Sequence, residues 1–178
     1  PKVESKFIID EVKKILHYKE RYVDIWCMIE TPKGVGNINE IASSSIDGLI
    51  MGTSDLTKEL NAGDLADRSP LLYSLSSCLL SAKIHNKIIL DGVFLDINNL
   101  KGFEKQCIQG NQMGFNGKTL IHPKTIDITN KIYGVSEKQL NYAKDIIKIY
   151  NEALSKGESV VLYKGKLIEN LHIEQANS

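Results

Sequence analysis

The chain has 178 residues, enough for one domain but short of the roughly 250 that a complete (β/α)₈ barrel usually takes. Lys plus Arg and Asp plus Glu are balanced at 22 each, with no basic run interleaved with aromatics, which excludes a phosphate-backbone footprint and makes nucleic acid an unexpected partner. No apolar stretch approaches the roughly 20 residues of a membrane helix, so the chain reads as soluble with no membrane contact.

The chain opens PKVESK, without an initiator Met or a signal-like apolar segment, and is expected to be a piece of a longer polypeptide. Ser5 to Tyr18 predicts a helix with Ile8, Ile9, Val12, Ile15 and Leu16 on one stripe. YVDIWCMIE follows as a strand. A short helix over Asn37 to Ala42 leads into the strand GLIMGTSDL. Ser69 and Pro70 supply an N-cap and a first-turn proline for a long amphipathic helix, LLYSLSSCLLSAKIH, ending near Asn86. KIILDGVF is the next strand. Asn98 and Asn99 offer caps for a helix through Ile108, which Gly110 stops, and NQMGFNGKTLIHP reads as strand followed by turn.

Near-continuous apolar strands alternating with helices indicate a parallel sheet covered by helices. Four strands are counted, with a possible fifth cut short at Pro1 to Val3. After this repeat, Ser136 with Gln139 forms a capping box opening a helix with Leu140, Ala143, Ile146, Ile147, Tyr150 and Leu154 on one stripe, ended by Gly157. The tail SVVLYKGKLIENLHIEQA predicts a hairpin across Lys164 and Gly165 and a terminal segment. The expected division is residues 1–133 as the C-terminal part of a (β/α)₈ barrel and 134–178 as an extension acting as lid or subunit contact.

The informative polar residues fall at strand C-terminal ends: Glu30, Asp55, Asp91 and Lys118. In a barrel that face carries the chemistry. Glu30 and Asp55 lie about 25 residues apart, near the average βα repeat. Hard ions such as Mg²⁺ take oxygen ligands, are often held by one or two carboxylates, and leave other positions to water and substrate. The pair therefore suits an open, catalytic Mg²⁺ site, although Asp55 could instead cap the helix that follows it. Gly34 and Gly36 could present backbone amides or simply make a turn.

Cys27, Cys78 and Cys107 are odd in number and lack a CxxC pair, so buried reduced thiols are expected in place of disulfides or a thiolate zinc site. Lys118 at a strand end could form a Schiff base with a keto acid or contact substrate phosphates. His122, before Pro123, reads as a hydrogen-bonded turn residue.

MIETPKGV, GLIMGTSDL, DGVF, GFNGKTLIHP and GKLIENLHIEQA, in this order, resemble the citrate lyase beta subunit-like family of the aldolase superfamily, which includes malyl-CoA and citramalyl-CoA lyases. The resemblance implies that PKVES lies near the fourth strand of a TIM barrel and that the first three strands, with a substrate-contacting arginine on the third, are absent. It assigns Mg²⁺ to Glu30 and Asp55, and places a keto-acid carboxylate at Gly52, Thr53 and Ser54. The implied reaction cleaves a 3-hydroxyacyl-CoA into acetyl-CoA and a 2-keto acid. In malyl-CoA lyases of this family the tail motif reads like GKMID and its aspartate acts as acid or base in a neighbouring subunit's site. Here the matching residue is Glu169, and Leu171 stands where many relatives have proline. Half a barrel exposes apolar interior and strand edges, so a homo-oligomer or association with further chain is expected. A catalytically silent scaffold or binding subunit, or a class II aldolase acting on free keto acids, are the other readings open at this point.

Overall fold

The computed structural model describes residues 1–177. Its contacts divide the chain into two compact units, Pro1–Tyr133 and a second from Gly134 onward.

The first unit begins with α1 (Lys6–Tyr18), β1 (Trp26–Ile29), α2 (Pro32–Gly36), α3 (Ile38–Ala42) and β2 (Gly48–Met51). It continues through α4 (Thr53–Glu59), a 3₁₀ turn over Ser69–Leu71, α5 (Leu72–Ile84), β3 (Ile88–Asp91), α6 (Leu100–Met113), β4 (Gly117–Lys118), a 3₁₀ turn over Pro123–Thr125 and α7 (Ile126–Tyr133). The four strands form one sheet in the order β1-β2-β3-β4, every pair parallel. Chain-sequential parallel strands joined by helical crossovers are the arrangement a (β/α)₈ barrel uses.

Strand alternation divides the sheet into two unequal faces. Cys27, Ile29, Leu49, Met51 and Ile89 are at most 1% exposed and share a core with Ile38 and Ile41 of α3, Leu56 of α4, and Leu75, Cys78 and Ala82 of α5. The other face is also apolar, but Trp26 and Ile88 are 36% and 47% exposed, and Met28, Ile50 and Leu90 are only partly covered. The near-continuous apolar strands are thus real, while among the described residues helices cover one side of them.

Several element boundaries differ from expectation. The helix opened by Asn99, whose side chain accepts from the Gly102 amide at 2.9 Å, runs through Gly110 to Met113. Gly114, at φ 104°, ends it, since only glycine takes that conformation without strain. Consequently β4 is two residues long. The segment before α3 is itself helical: Thr31 caps α2 by accepting from the Gly34 amide at 3.0 Å, with Pro32 in its first turn. Pro70 lies in the 3₁₀ turn that precedes α5. Helix α5 buries Leu75, Cys78 and Ala82 yet also exposes Tyr73, Leu80 and Ile84, so it is not cleanly amphipathic. On α1 only Ile9 of the expected stripe is fully buried; Val12 and Ile15 are 40% and 61% exposed.

All three cysteines are buried free thiols, as expected, and burial pushes the Cys78 thiol up to about 12. His122 accepts from the Lys124 amide through Nδ1 at 3.1 Å, a turn-capping role.

The second unit contains α8 (Glu137–Leu154), β5 (Val161–Tyr163), β6 (Lys166–Ile168) and α9 (Asn170–Asn177). Both hydrogen bonds of the Ser136–Gln139 capping box form. Helix α8 buries Ile146 and Tyr150 against Ile168 and Ile173, and the hairpin turns through Lys164 and Gly165 at φ 49° and 77°.

Candidate active site

Glu30 follows β1 by one residue, and alternation sends its side chain to the face opposite Ile29, away from the helical layer. Ile29 pairs with Met51 on β2, so Gly52 becomes the lateral neighbour of Glu30, and the Gly52 amide donates to the Ile29 carbonyl at 2.8 Å. A Cβ at Gly52 would lie 2.4 Å from Glu30 Cβ and 2.7 Å from Oε2. The missing side chain is therefore what admits the carboxylate. Oε1 accepts from the Lys2 amide at 2.8 Å, and the residue is 5% exposed.

Gly52 occupies the cap position of α4, which makes Asp55 the third residue of its first turn. The capping alternative for Asp55 is thereby removed, because the helix has already begun before it. Asp55 is half-buried, Ser54 exposed and Thr53 buried. Among the described residues neither Glu30 nor Asp55 is in a salt bridge. A nearly buried carboxylate without a cationic partner is costly unless something else supplies positive charge. In their chemistry the two carboxylates are the hard-oxygen donors that a divalent cation takes. No group of three His, Cys, Asp or Glu side chains able to hold a metal occurs among the described residues.

Lys118 is not brought to this pair. In register with Asp91 it points into the helix-covered side, where its side chain is fully buried. Its ammonium donates to Asp91 Oδ2 at 3.0 Å, to Gln106 Oε1 at 2.6 Å and to the Gly92 carbonyl, using all three protons. Burial pushes its pKa down from the ordinary lysine value, and Asp91 opposes that shift. The expectation of a substrate contact or a Schiff base at Lys118 is corrected: an enclosed, ion-paired ammonium offers no free amine.

Asp91 is fully buried and also accepts two bonds from Arg68 Nη1, at 2.7 and 2.8 Å. Arg68 sits at φ 56° in the loop before α5, and its Nε donates to Gln109 of α6 at 2.8 Å. Arg68 Nη2 and the Tyr133 hydroxyl are buried without partners among the described residues. Asp91 is legible from its place at the C-terminal end of a strand, but Arg68, in the loop ADRSP, carries no local signal.

The cluster also explains Gly110. A Cβ there would come within 2.4 Å of the Tyr133 hydroxyl and 2.7 Å of Asp91 Oδ2. Alanine favours a helix by about 1 kcal/mol over glycine. Overpacking against a buried ion pair outweighs this, and Gly110→Ala is expected to lower unfolding free energy by roughly 1–3 kcal/mol. Urea unfolding checks it; equal or higher stability would contradict the packing.

Gly34 is packed, since a Cβ on it would lie 2.7 Å from the Val3 carbonyl, and its amide is taken by Thr31. Gly36 has open space around it. Neither is brought to Glu30 as an amide donor. Glu169 belongs to the second unit, is exposed, and precedes α9; its amide donates to His172 Nδ1 at 3.1 Å. Leu171 lies within α9, 59% exposed.

Residues 1–123 match the family described as HpcH/HpaI aldolase/citrate lyase. The chain is 40% identical over 153 residues to a (3S)-malyl-CoA thioesterase of Cereibacter sphaeroides, covering 85% of this chain and 54% of that protein. It thus spans about half the length of the curated relatives it matches. Among solved structures it is similar to the citrate lyase beta subunit of Mycobacterium tuberculosis complexed with oxaloacetate and magnesium, at 28% identity and TM-score 0.62, covering 76% of this chain and 60% of that one. The protein CitE of the same organism, solved with magnesium, acetoacetate and coenzyme A, shares the fold at TM-score 0.74 and 24% identity, covering 99% of this chain and 64% of that one.

Proposed function

The chain belongs to the HpcH/HpaI aldolase/citrate lyase family, and from that membership and the Glu30–Gly52–Asp55 arrangement we propose that it is the C-terminal part of a (β/α)₈ barrel enzyme that cleaves a 3-hydroxyacyl-CoA. Malyl-CoA would yield acetyl-CoA and glyoxylate; citramalyl-CoA would yield acetyl-CoA and pyruvate. The observation that carries this reading is the pair of carboxylates that follow successive strands, neither of them in a salt bridge among the described residues.

In this reading Glu30 and Asp55 hold Mg²⁺, the ion bound in the related citrate lyase beta subunit. When bound, Mg²⁺ supplies Lewis-acid stabilisation of the oxyanions of the hydroxyacyl substrate and keto-acid product. The Gly52 and Thr53 amides and the exposed Ser54 hydroxyl orient the carboxylate of the keto-acid half. Glu169 holds the proton that leaves the 3-hydroxyl or returns to the acetyl-CoA enolate. The open apolar sheet face is covered by further chain, and a homo-oligomer brings the second unit of one copy to the site of another.

The 40% identical thioesterase favours a second reading, hydrolysis of the CoA thioester. The two differ in products. With the full-length protein, Mg²⁺ and malyl-CoA, cleavage of the carbon–carbon bond releases glyoxylate with no new thiol, whereas hydrolysis releases malate and free CoA. Glyoxylate formation that EDTA abolishes is the expected result. Free thiol without glyoxylate would replace the first reading by the second, and turnover of neither kind would remove both.

A further inference from the structure

We propose that Lys118 is a positioning residue for the Gly52–Asp55 turn, acting through the backbone of Gly92; the proposal rests on that turn being the cation and substrate site. Gly92 is gripped on both sides. Its amide donates to Asp91 Oδ1 at 2.8 Å, and its carbonyl accepts from Lys118 Nζ. These bonds fix the peptide planes before and after Gly92, where a glycine would otherwise be free to rotate.

Gly92 in turn forms one wall of the turn. A Cβ on it would lie 2.3 Å from Thr53 Oγ1, 2.8 Å from Thr53 Cγ2 and 2.7 Å from the Met51 carbonyl. On the other side, Glu30 closes on Gly52 just as tightly. The segment leading to Asp55 is therefore held between the end of β1 and the end of β3. Asp91 and Lys118 point to the helical side of the sheet, Glu30 to the opposite side, so the cluster reaches the site only through backbone.

The choice of residues supports this role. Replacing a buried ion cluster by apolar side chains is often neutral or stabilising, so stability alone does not call for Arg68, Asp91 and Lys118 here. Directional bonds to one backbone carbonyl do. An ammonium spends one proton each on Asp91, Gly92 and Gln106, a division that neither a planar guanidinium nor an apolar chain reproduces. Arg68 holds Asp91 from a separate loop, so the carboxylate keeps a cationic partner when Lys118 is removed.

The test uses the full-length protein with Lys118→Met and the milder Gln106→Leu, which removes one acceptor from the ammonium. Amide hydrogen exchange of residues 52–56 is followed in metal-free protein, with residues 27–29 of β1 as internal reference, and Mg²⁺ affinity is measured by calorimetry. Lys118→Met should speed exchange at 52–56 about tenfold relative to β1 and weaken Mg²⁺ binding about tenfold, the lower end of what is lost when a group that orients metal ligands is removed. Gln106→Leu should move both in the same direction by about threefold, the loss of one modest hydrogen bond. Should Lys118→Met not fold, Gln106→Leu decides. Unchanged exchange at 52–56 in the folded variants overturns the proposal. If the unmodified protein binds no Mg²⁺, the functional reading fails, while the metal-free exchange comparison still tests the positioning role.

Discussion

Glu30→Gln and Asp55→Asn are each expected to weaken Mg²⁺ binding by about 100-fold or more in the full-length protein, because outer-shell changes alone reach roughly that size. Each substitution keeps the side-chain shape but removes one of the two charged oxygen donors assigned to the proposed site. The folding cost should be small, since neither carboxylate is in a salt bridge among the described residues. For Glu30 the loss of charge relieves a nearly buried anion whose hydrogen bond from the Lys2 amide an amide oxygen can still accept. Calorimetric titration with Mg²⁺, alongside a thermal melt, separates the two effects. Loss of affinity with retained melting is the expected pattern, and unchanged affinity in both variants would remove the metal assignment.

What the sequence discloses and what it hides follow from the range of the forces involved. The strands β1 to β3, the capping box at Ser136 and the hairpin at Lys164–Gly165 are local patterns, and local patterns survive without knowledge of the partner. The places of Glu30 and Asp55 after β1 and β2 could be read because they follow from that same local pattern. Their relation to Gly52 needs the β1–β2 register, which no single segment encodes. Lys118 was misread because its chemistry was weighed without its parity: in register with Asp91, it faces the helices and meets a buried carboxylate. Gly110 looked like a helix stop for a related reason. A glycine inside a helix weakens it locally, but this one lets Asp91 and Tyr133 approach, a long-range demand invisible in the neighbouring residues. Helices α1 and α5 carry more apolar surface than the described contacts bury, so a stripe read from their sequence does not by itself tell which of its residues are covered.

The remaining large effect concerns Glu169. If it holds the reacting proton, Glu169→Gln should lower kcat by about 100-fold or more with Mg²⁺ affinity unchanged, the mark of a lost proton-transfer group. Glutamate carries its carboxylate about 1 Å farther than the aspartate of the GKMID pattern, and displacements of that order can cost about 100-fold in rate. Glu169→Asp should accordingly match or exceed the unmodified protein. The surroundings of Glu169 favour adjustment of this kind: it is exposed, its backbone is fixed at the start of α9 by reciprocal bonds with His172, and no salt bridge restrains its side chain among the described residues. A solvated terminal charge would behave differently, because exposed substitutions away from special features usually change little. Both variants would then retain activity within about twofold. Steady-state kinetics of the full-length protein with malyl-CoA and citramalyl-CoA, at saturating Mg²⁺, distinguish the cases, and near-normal turnover in Glu169→Gln would strike it from the catalytic residues.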